Sequence, residues 1–292
     1  MYDIEKITIA KTVGEALNAL EQDEKAEVIS GGSDVLIKIR EGKLAGCTLV
    51  SIHDIKELMG VSMLEDGSIK IGPATTFANV THSDIIEKYI PVLGYAADQA
   101  GGPQLRNIGT IGGNVCNGVT SADTASSLMI LDAELELTSV KGVRIVPISQ
   151  WYQGPGRTVR EHAELLTAIY IRKASYEGYS ANYYKYAQRN AMDIATLGCA
   201  VSVKLSEDKK TIADVHLGYG VAAPTPIRCS NAEAELKGKE LSAAVAAIGA
   251  LAVSEVTPRT SWRASKEFRL QLVKELAKRG LARAIQDAGG AE

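Results

Sequence analysis

Cysteine and histidine are too few and too scattered in this chain to build a metal centre. The four cysteines, Cys47, Cys116, Cys199 and Cys229, form no CxxC pair and stand beside no histidine. A disulfide framework, a zinc site and an iron–sulfur cluster are therefore not indicated. The four histidines, His53, His82, His162 and His216, share no ligand or triad spacing. Basic clusters are missing as well. With a formal charge of −3 and no polybasic or arginine-aromatic stretch, the chain lacks the footprint of a nucleic-acid binder. No apolar run approaches membrane-spanning length, and MYDIEKITIAKT has no cationic segment leading into an apolar one, so a cytoplasmic protein is expected. Neither GxGxxG nor GxxxxGK[ST] occurs.

What the chain does have is a glycine-rich centre with apolar anchors. GGPQLRNIGTIGGNVCNGVTSAD runs from Gly101 to Asp123 and carries Leu105, Ile108, Ile111 and Val115 among its glycines and asparagines. A flexible linker would lack the anchors and a core strand would lack the glycines. The composition predicts an ordered, buried loop whose backbone approaches something closely. Within it, Thr110, Gly112, Gly113 and Asn114 offer consecutive N–H groups with a hydroxyl and an amide, a nest suited to an anion. A side chain added at Gly112 or Gly113 would intrude there. A second pair, Gly31-Gly32, follows the apolar run AEVIS and precedes VLIKIR. Two such loops fit a diphosphate, although glycine pairs also make ordinary turns. Asp34 and Asp123 each follow a loop, where a carboxylate can hold ribose hydroxyls or simply cap a turn.

Around these loops the pattern alternates helix and strand. Thr12 and Glu15 have capping-box spacing ahead of Ala16, Leu17 and Leu20 on one helical face. AEVIS and TLVSI read as strands. A turn at Asp66-Gly67 starts a second unit, with helices in SDIIEKYI and after Pro91, a hairpin flanking Lys141-Gly142, and a strand over residues 164–171. Tyr176, Tyr179, Tyr183, Tyr184 and Tyr186 crowd one segment, either as a wall for a flat ligand or as cover for a domain seam. A second hairpin turns at SEDKK, and three alanine- and leucine-rich helices follow from Asn231. The expected division is residues 1–175, in subdomains of about 1–60 and 61–175, and residues 176–292. With no base, acid or nucleophile in company, any chemistry should come from a bound cofactor.

TIGGN followed by TSAD, with ISGGSDVLI upstream, then GPGRT, KYAQRNAMDIAT, GYGVAAPTPIR and TSWRASKEFRL, resembles the FAD-binding medium subunit of the molybdenum hydroxylases, most of all the xanthine dehydrogenase type. The ordered set spans almost the whole chain. The resemblance implies an α+β fold: two N-terminal subdomains holding FAD, then a C-terminal antiparallel sheet with a helical bundle. It places Val28, Ile29, Ser30, Gly31, Gly32, Ser33, Asp34 and Val35 on one side of the diphosphate, and Thr110, Ile111, Gly112, Gly113 and Asn114 on the other. Asp123 would bind the nucleotide moiety through ribose or diphosphate, Leu165 would touch the flavin region through its backbone, and Lys185 would lie near the ring edge. Lys185 and Arg189, opposed by Asp193, would be charges that tune the flavin.

The same resemblance implies an oxidoreductase of purine metabolism, assembled as a heterotrimer with a molybdopterin-binding large subunit and a [2Fe–2S] small subunit. Substrate would be hydroxylated at molybdenum, and electrons would pass through iron–sulfur clusters to FAD and then as hydride to NAD+. The cysteine-rich insertion of some relatives is missing, so no iron–sulfur cluster is expected on this chain. Nicotinate, carbon monoxide or aldehyde hydroxylases are alternatives within the class. A stand-alone flavoprotein and a non-catalytic nucleotide-binding scaffold are alternatives outside it.

Overall fold

The computed structural model describes residues 2–290. Three sheets follow one another along the chain. The first is parallel and three-stranded, with β1 (Ile4–Ile9) and β2 (Ala26–Ile29) flanking β3 (Cys47–Ser51). The helix Val13–Gln22 crosses from β1 to β2, and Thr12 caps it by accepting from the Glu15 N–H, as the Thr-x-x-Glu spacing predicts. Its Ala16, Leu17 and Leu20 are buried against the sheet with Val50. VLIKIR, which the apolar run alone left without a defined form, is the helix Val35–Arg40 between β2 and β3.

The second sheet is antiparallel. Its strands are β4 (Val61–Met63), β5 (Ile69–Ile71), β6 (Glu134–Ser139), β7 (Gly142–Pro147) and, after the small ribbon β8 (Tyr152–Gly154) and β9 (Arg157–Thr158), β10 (Leu165–Ile171). They stand in the order β4-β5-β10-β6-β7. Alternation in AELELT and VRIVPI gives the expected β6–β7 hairpin. Six short helices connect β5 to β6 and bury Val80, Ile86, Leu93, Ala97 and Leu128 against the sheet.

The glycine-rich centre differs from the expected loop. It forms two helices, Pro103–Ile108 and Ile111–Asn117. Pro103 sits in the first turn of the one, and Thr110 caps the other by accepting from the Gly113 N–H at 3.1 Å. Helical geometry survives the glycines because the segment is packed. A Cβ on Gly112 would lie 2.4 Å from Pro73 Cβ and 2.6 Å from its carbonyl oxygen.

The third sheet, β11 (Ser180–Tyr186), β12 (Leu197–Leu205), β13 (Ile212–Gly220) and β14 (Ile227–Arg228), is antiparallel in sequence order. The helices Ser230–Leu236, Leu241–Val253 and Lys266–Asp287 cover one face of it, with Leu217, Val201, Ile248 and Leu281 fully buried between. On β11 the side chains alternate. Tyr184 packs with this helical layer, whereas Ala181 and Tyr183 pack into the core of the second unit. The tyrosine-rich segment is thus a seam. Three of its five hydroxyls are bonded within the protein: Tyr176 donates to the Gly67 carbonyl, Tyr179 to Asp214 and Tyr183 to Asp123. Among the described residues, no helix is long and apolar enough to cross a membrane.

The two long helices meet at Gly249, where an added Cβ would come within 2.8 Å of the Lys274 carbonyl oxygen and 3.0 Å of its Cα. Both contacts are backbone and cannot rotate away. Gly249→Val should therefore lower the free energy of unfolding by about 1–3 kcal/mol, the usual cost of overpacking. Thermal or urea melting of the purified variant checks this.

Candidate cofactor cleft

A cavity of about 740 Å3 opens where the carboxyl end of the first sheet meets the helices of the second unit. This size lies within the roughly 300–1,000 Å3 typical of small-molecule and cofactor sites. Ligands of α/β units bind beyond the carboxyl ends of parallel strands, because the chain there turns into helices with their N–H groups outward. Here the turn is Ser30–Asp34, directly after β2.

The turn is a set of free donors. The backbone N–H groups of Gly31, Gly32, Ser33 and Asp34 make no hydrogen bond to any described residue. Gly32 has φ +75°, in the left-handed region that glycine tolerates, and Asp34 is right-handed at φ −107°. Such alternation turns successive N–H groups toward one concavity. The Ser30 hydroxyl is buried without a partner and lines the same cavity. Gly31 cannot carry a side chain: its Cβ would lie 2.1 Å from the Ile108 carbonyl oxygen. The Ser30 hydroxyl is thus a buried polar group left unpaired beside an open cavity, a rare condition in native proteins that marks a place where a polar ligand belongs.

The opposite wall is not a second nest. The Gly112 N–H donates to the Pro73 carbonyl at 2.8 Å, the Gly113 N–H to Thr110 Oγ1, and the Asn114 N–H to the Thr110 carbonyl at 3.0 Å. The donors expected to hold an anion are already used, by Pro73 and by Thr110. What this wall offers is shape: Thr110, Gly112, Gly113 and Asn114 line the cavity, and a Cβ on Gly113 would meet only Thr110 Oγ1, at 3.0 Å. Gly112 is instead a packing glycine, so its replacement would disturb the fold at Pro73.

Most of the predicted residues converge on this one space. Val28, Ser30, Gly31, Gly32, Ser33, Asp34, Val35, Asp123 and Leu165 line it. Ile29 and Ile111 do not. Ile29 packs with Leu49 and Leu36, and Ile111 is fully buried in the second core, because side chains on strands and capped helices alternate away from the cavity. Lys185 is also absent from the wall. Its ammonium donates to the Gln99 carbonyl at 2.8 Å and to Asp123 Oδ2 at 3.0 Å, so it stands behind Asp123 rather than beside the ligand space.

Asp123 is thereby held from both sides. Tyr183 donates to Oδ1 at 3.0 Å and Lys185 to Oδ2, and the pair is nearly removed from solvent, with 11% and 7% of the Asp123 and Lys185 side chains exposed. Burial raises the Asp123 carboxyl above its ordinary range, and the Lys185 charge and the two hydrogen bonds oppose that rise. Of the charges expected to tune the flavin, Asp193 does oppose Arg189, at 3.5 Å, whereas Lys185 pairs with Asp123 instead. Asp193 lines the cavity, but it accepts from the N–H groups of Gln188 and Arg189 at 2.8 and 3.0 Å, and Arg189 is largely exposed.

Several lining residues carried no signal in the sequence. Lys38, on the Val35–Arg40 helix, donates to Asn117 Oδ1 at 2.9 Å and places a cation on the wall that also holds the free N–H groups. Arg160 lies in the wall and braces it through bonds to the carbonyls of Glu161, His162 and Glu164. Glu164 in turn receives a bidentate pair from Arg144, at 2.6 and 2.8 Å, that holds its carboxyl below the usual carboxylate range. The Cys116 thiol also lines the cavity, and burial pushes it up to about 11, so it is protonated at neutral pH.

Residues 3–173 match the family described as FAD binding domain in molybdopterin dehydrogenase. The chain belongs to this family. Residues 182–284 match the CO dehydrogenase flavoprotein C-terminal domain, so the two matches together account for all three sheets. Over 291 residues, 99% of each chain, the sequence is 42% identical to the xanthine dehydrogenase FAD-binding subunit of Escherichia coli O157:H7. It is 31% identical to the nicotinate dehydrogenase FAD-subunit of Eubacterium barkeri, over 80% of this chain and 79% of that one. The fold matches a chain of the carbon monoxide dehydrogenase from Hydrogenophaga pseudoflava with a TM-score of 0.92 at 27% identity, covering 99% of both. FAD is the cofactor of this family, and the chain is of the kind that serves as the flavin subunit of such oxidoreductases.

Removing the Lys185 ammonium would leave the Asp123 carboxylate buried without its counter-charge. Lys185→Met should cost about 3–5 kcal/mol at neutral pH, as breaking a buried pair does. Its loss would raise the Asp123 carboxyl further, so the folded variant would bind a proton more tightly than the unfolded chain does. The deficit against the unaltered protein should therefore narrow as pH falls from neutral through the raised Asp123 range toward about 4, the ordinary carboxylate value of the unfolded chain. Urea unfolding of both proteins between neutral pH and that value checks the sign.

Proposed function

We propose that this chain is the FAD-binding electron-transfer subunit of a xanthine dehydrogenase-type molybdenum hydroxylase. Its partners in this reading are a molybdopterin-binding large subunit and a [2Fe–2S] small subunit, and its acceptor is NAD+. The observation that carries the reading is the run of free N–H groups at Gly31–Asp34 with the orphaned Ser30 hydroxyl, set in a cavity of cofactor size. Similarity over the full length to a xanthine dehydrogenase FAD-binding subunit supports the choice of complex, at 42% identity against 31% for the nicotinate enzyme. When bound, FAD supplies exchange between one-electron carriers and a two-electron hydride acceptor.

The residues divide the work of holding it. Ser30 to Asp34 would give the diphosphate its donors, and Lys38 a nearby positive charge without direct crowding. Gly113 and Thr110 would set the width of the facing wall. Asp123, with its two oxygens fixed by Tyr183 and Lys185, keeps lone pairs free for ribose hydroxyls and cannot swing away. Leu165 and Leu166, at the start of β10, would give the apolar floor expected beneath a planar ring and exclude water from it. Lys185 acts through Asp123 rather than on the cofactor itself.

Gly113→Val should lower FAD content at least tenfold with little change in melting temperature, since its Cβ enters the cavity and meets only the Thr110 hydroxyl. Absorption spectra and flavin released per chain check this, and full FAD content in the variant would remove the Gly113 wall from the site. The functional reading is tested by anaerobic NADH titration of the FAD-loaded chain. Bleaching of the flavin bands is expected, and flavin that xanthine reduces in the assembled complex but NADH does not would replace NAD+ by another acceptor.

A further inference from the structure

The segment Arg259–Arg269 carries four cations against a single carboxylate, Glu267. Arg259, Arg263, Lys266 and Arg269 form no ion pair with any described residue. Arg269 is the scaffold. It is 2% exposed, and its guanidinium donates to the carbonyls of Thr196 and Arg259 and to Ser261 Oγ. Carbonyl oxygens satisfy its hydrogen bonds but leave its charge uncompensated. Arg263 has its Nε buried without an acceptor, while its guanidinium stacks 4.2 Å from the centre of the Trp262 ring. Trp262 itself is 76% exposed, the most exposed large apolar side chain among the described residues.

The patch is joined to the cofactor cleft by hydrogen bonds and an aromatic contact. The Gln188 amide donates to the Arg263 carbonyl at 3.2 Å, and the Gln188 N–H donates to Asp193, which lines the cavity. The Thr196 N–H donates to the Tyr186 carbonyl, and the Tyr186 ring meets Phe268 edge to face at 5.6 Å, both rings being partly exposed. An exposed tryptophan braced by an arginine, with further aromatic rings and unpaired cations around it, has the composition of a binding hot spot rather than of a solvated surface. The excess positive charge selects an acidic partner face, because burying these guanidinium groups against carboxylates would supply counter-charges that Glu267 alone does not.

We propose that the surface centred on Trp262 and Arg263 docks a partner protein that presents carboxylates around an apolar pocket, the pocket receiving the Trp262 ring. The inference rests on the functional reading above and identifies the partner as the electron-donating iron–sulfur chain, since docking there places that chain against the element that lines the cofactor cleft. The test is co-expression of the tagged full chain with its iron–sulfur and molybdopterin chains, for the unaltered protein and for Trp262→Ala and Arg263→Glu, with retained iron–sulfur chain measured per FAD. Both variants should lose at least tenfold in retained partner, and the unaltered assembly should weaken as salt is raised. FAD content and melting temperature of the isolated Trp262→Ala chain should match the unaltered protein, which separates lost docking from lost folding. Assembly unchanged by either substitution overturns the docking surface alone. Failure of the unaltered chain to retain any iron–sulfur partner overturns the functional reading and this surface with it. Assembly that is intact while Arg263→Glu weakens NAD+ binding would assign the cluster to phosphate groups and likewise overturn docking.

Discussion

The cleft exists because two stretches of backbone touch where no side chain fits. Gly31 sits so close to Ile108 and Gly109 that a single Cβ would overlap the Ile108 carbonyl. That contact closes the turn after β2 onto the helices of the second unit, and it leaves the N–H groups of the turn unpaired at the cavity wall. Gly112 makes the matching approach to Pro73 from the other wall. Both glycines therefore set distances between backbones. The space they define is wide enough for a cofactor, and its donors are fixed before any ligand arrives, so little ordering entropy is lost on binding.

The third sheet contributes by a single strand. β11 faces the helical layer with Tyr184 and the second unit with Tyr183 and Lys185, so one period-two alternation both seals a domain seam and anchors Asp123. A buried lysine–aspartate pair stabilises little in itself, because desolvation offsets most of the attraction. Its value here is positional: a carboxylate at the cavity wall keeps one orientation. The same strand leads directly into the segment that carries Gln188 and Asp193, which connects the cavity rim to the arginine cluster at the start of the last helix.

Much of the fold was legible because the signals were local. The Thr12–Glu15 spacing, Pro91 at a first helical turn, and the alternation on either side of Lys141-Gly142 each specify their element without help from distant residues. The turn at Gly31-Gly32 was legible for the same reason. The facing wall looks like a nest in sequence because the fate of the Gly112 and Gly113 N–H groups depends on Pro73 and on the Thr110 rotamer, neither of which sequence spacing reveals. The place of Lys185 behind Asp123 is not legible, since sixty-two residues separate the two in the chain. Lys38 and Arg160 gave no signal: one lies in an apolar run whose helical form brings the lysine round to the cavity, and the other is held there by carbonyls of its own loop.

Hydrogen–deuterium exchange of the backbone amides of the FAD-free chain, with and without added FAD, tests the central claim most directly. The account predicts that the amides of Gly31 to Asp34, free in the chain alone, become strongly protected when FAD is added, while those of Gly112 and Gly113, already bonded to Pro73 and Thr110, change little. Protection confined to Gly112 and Gly113, or FAD binding that leaves Gly31 to Asp34 exchanging as before, would contradict it.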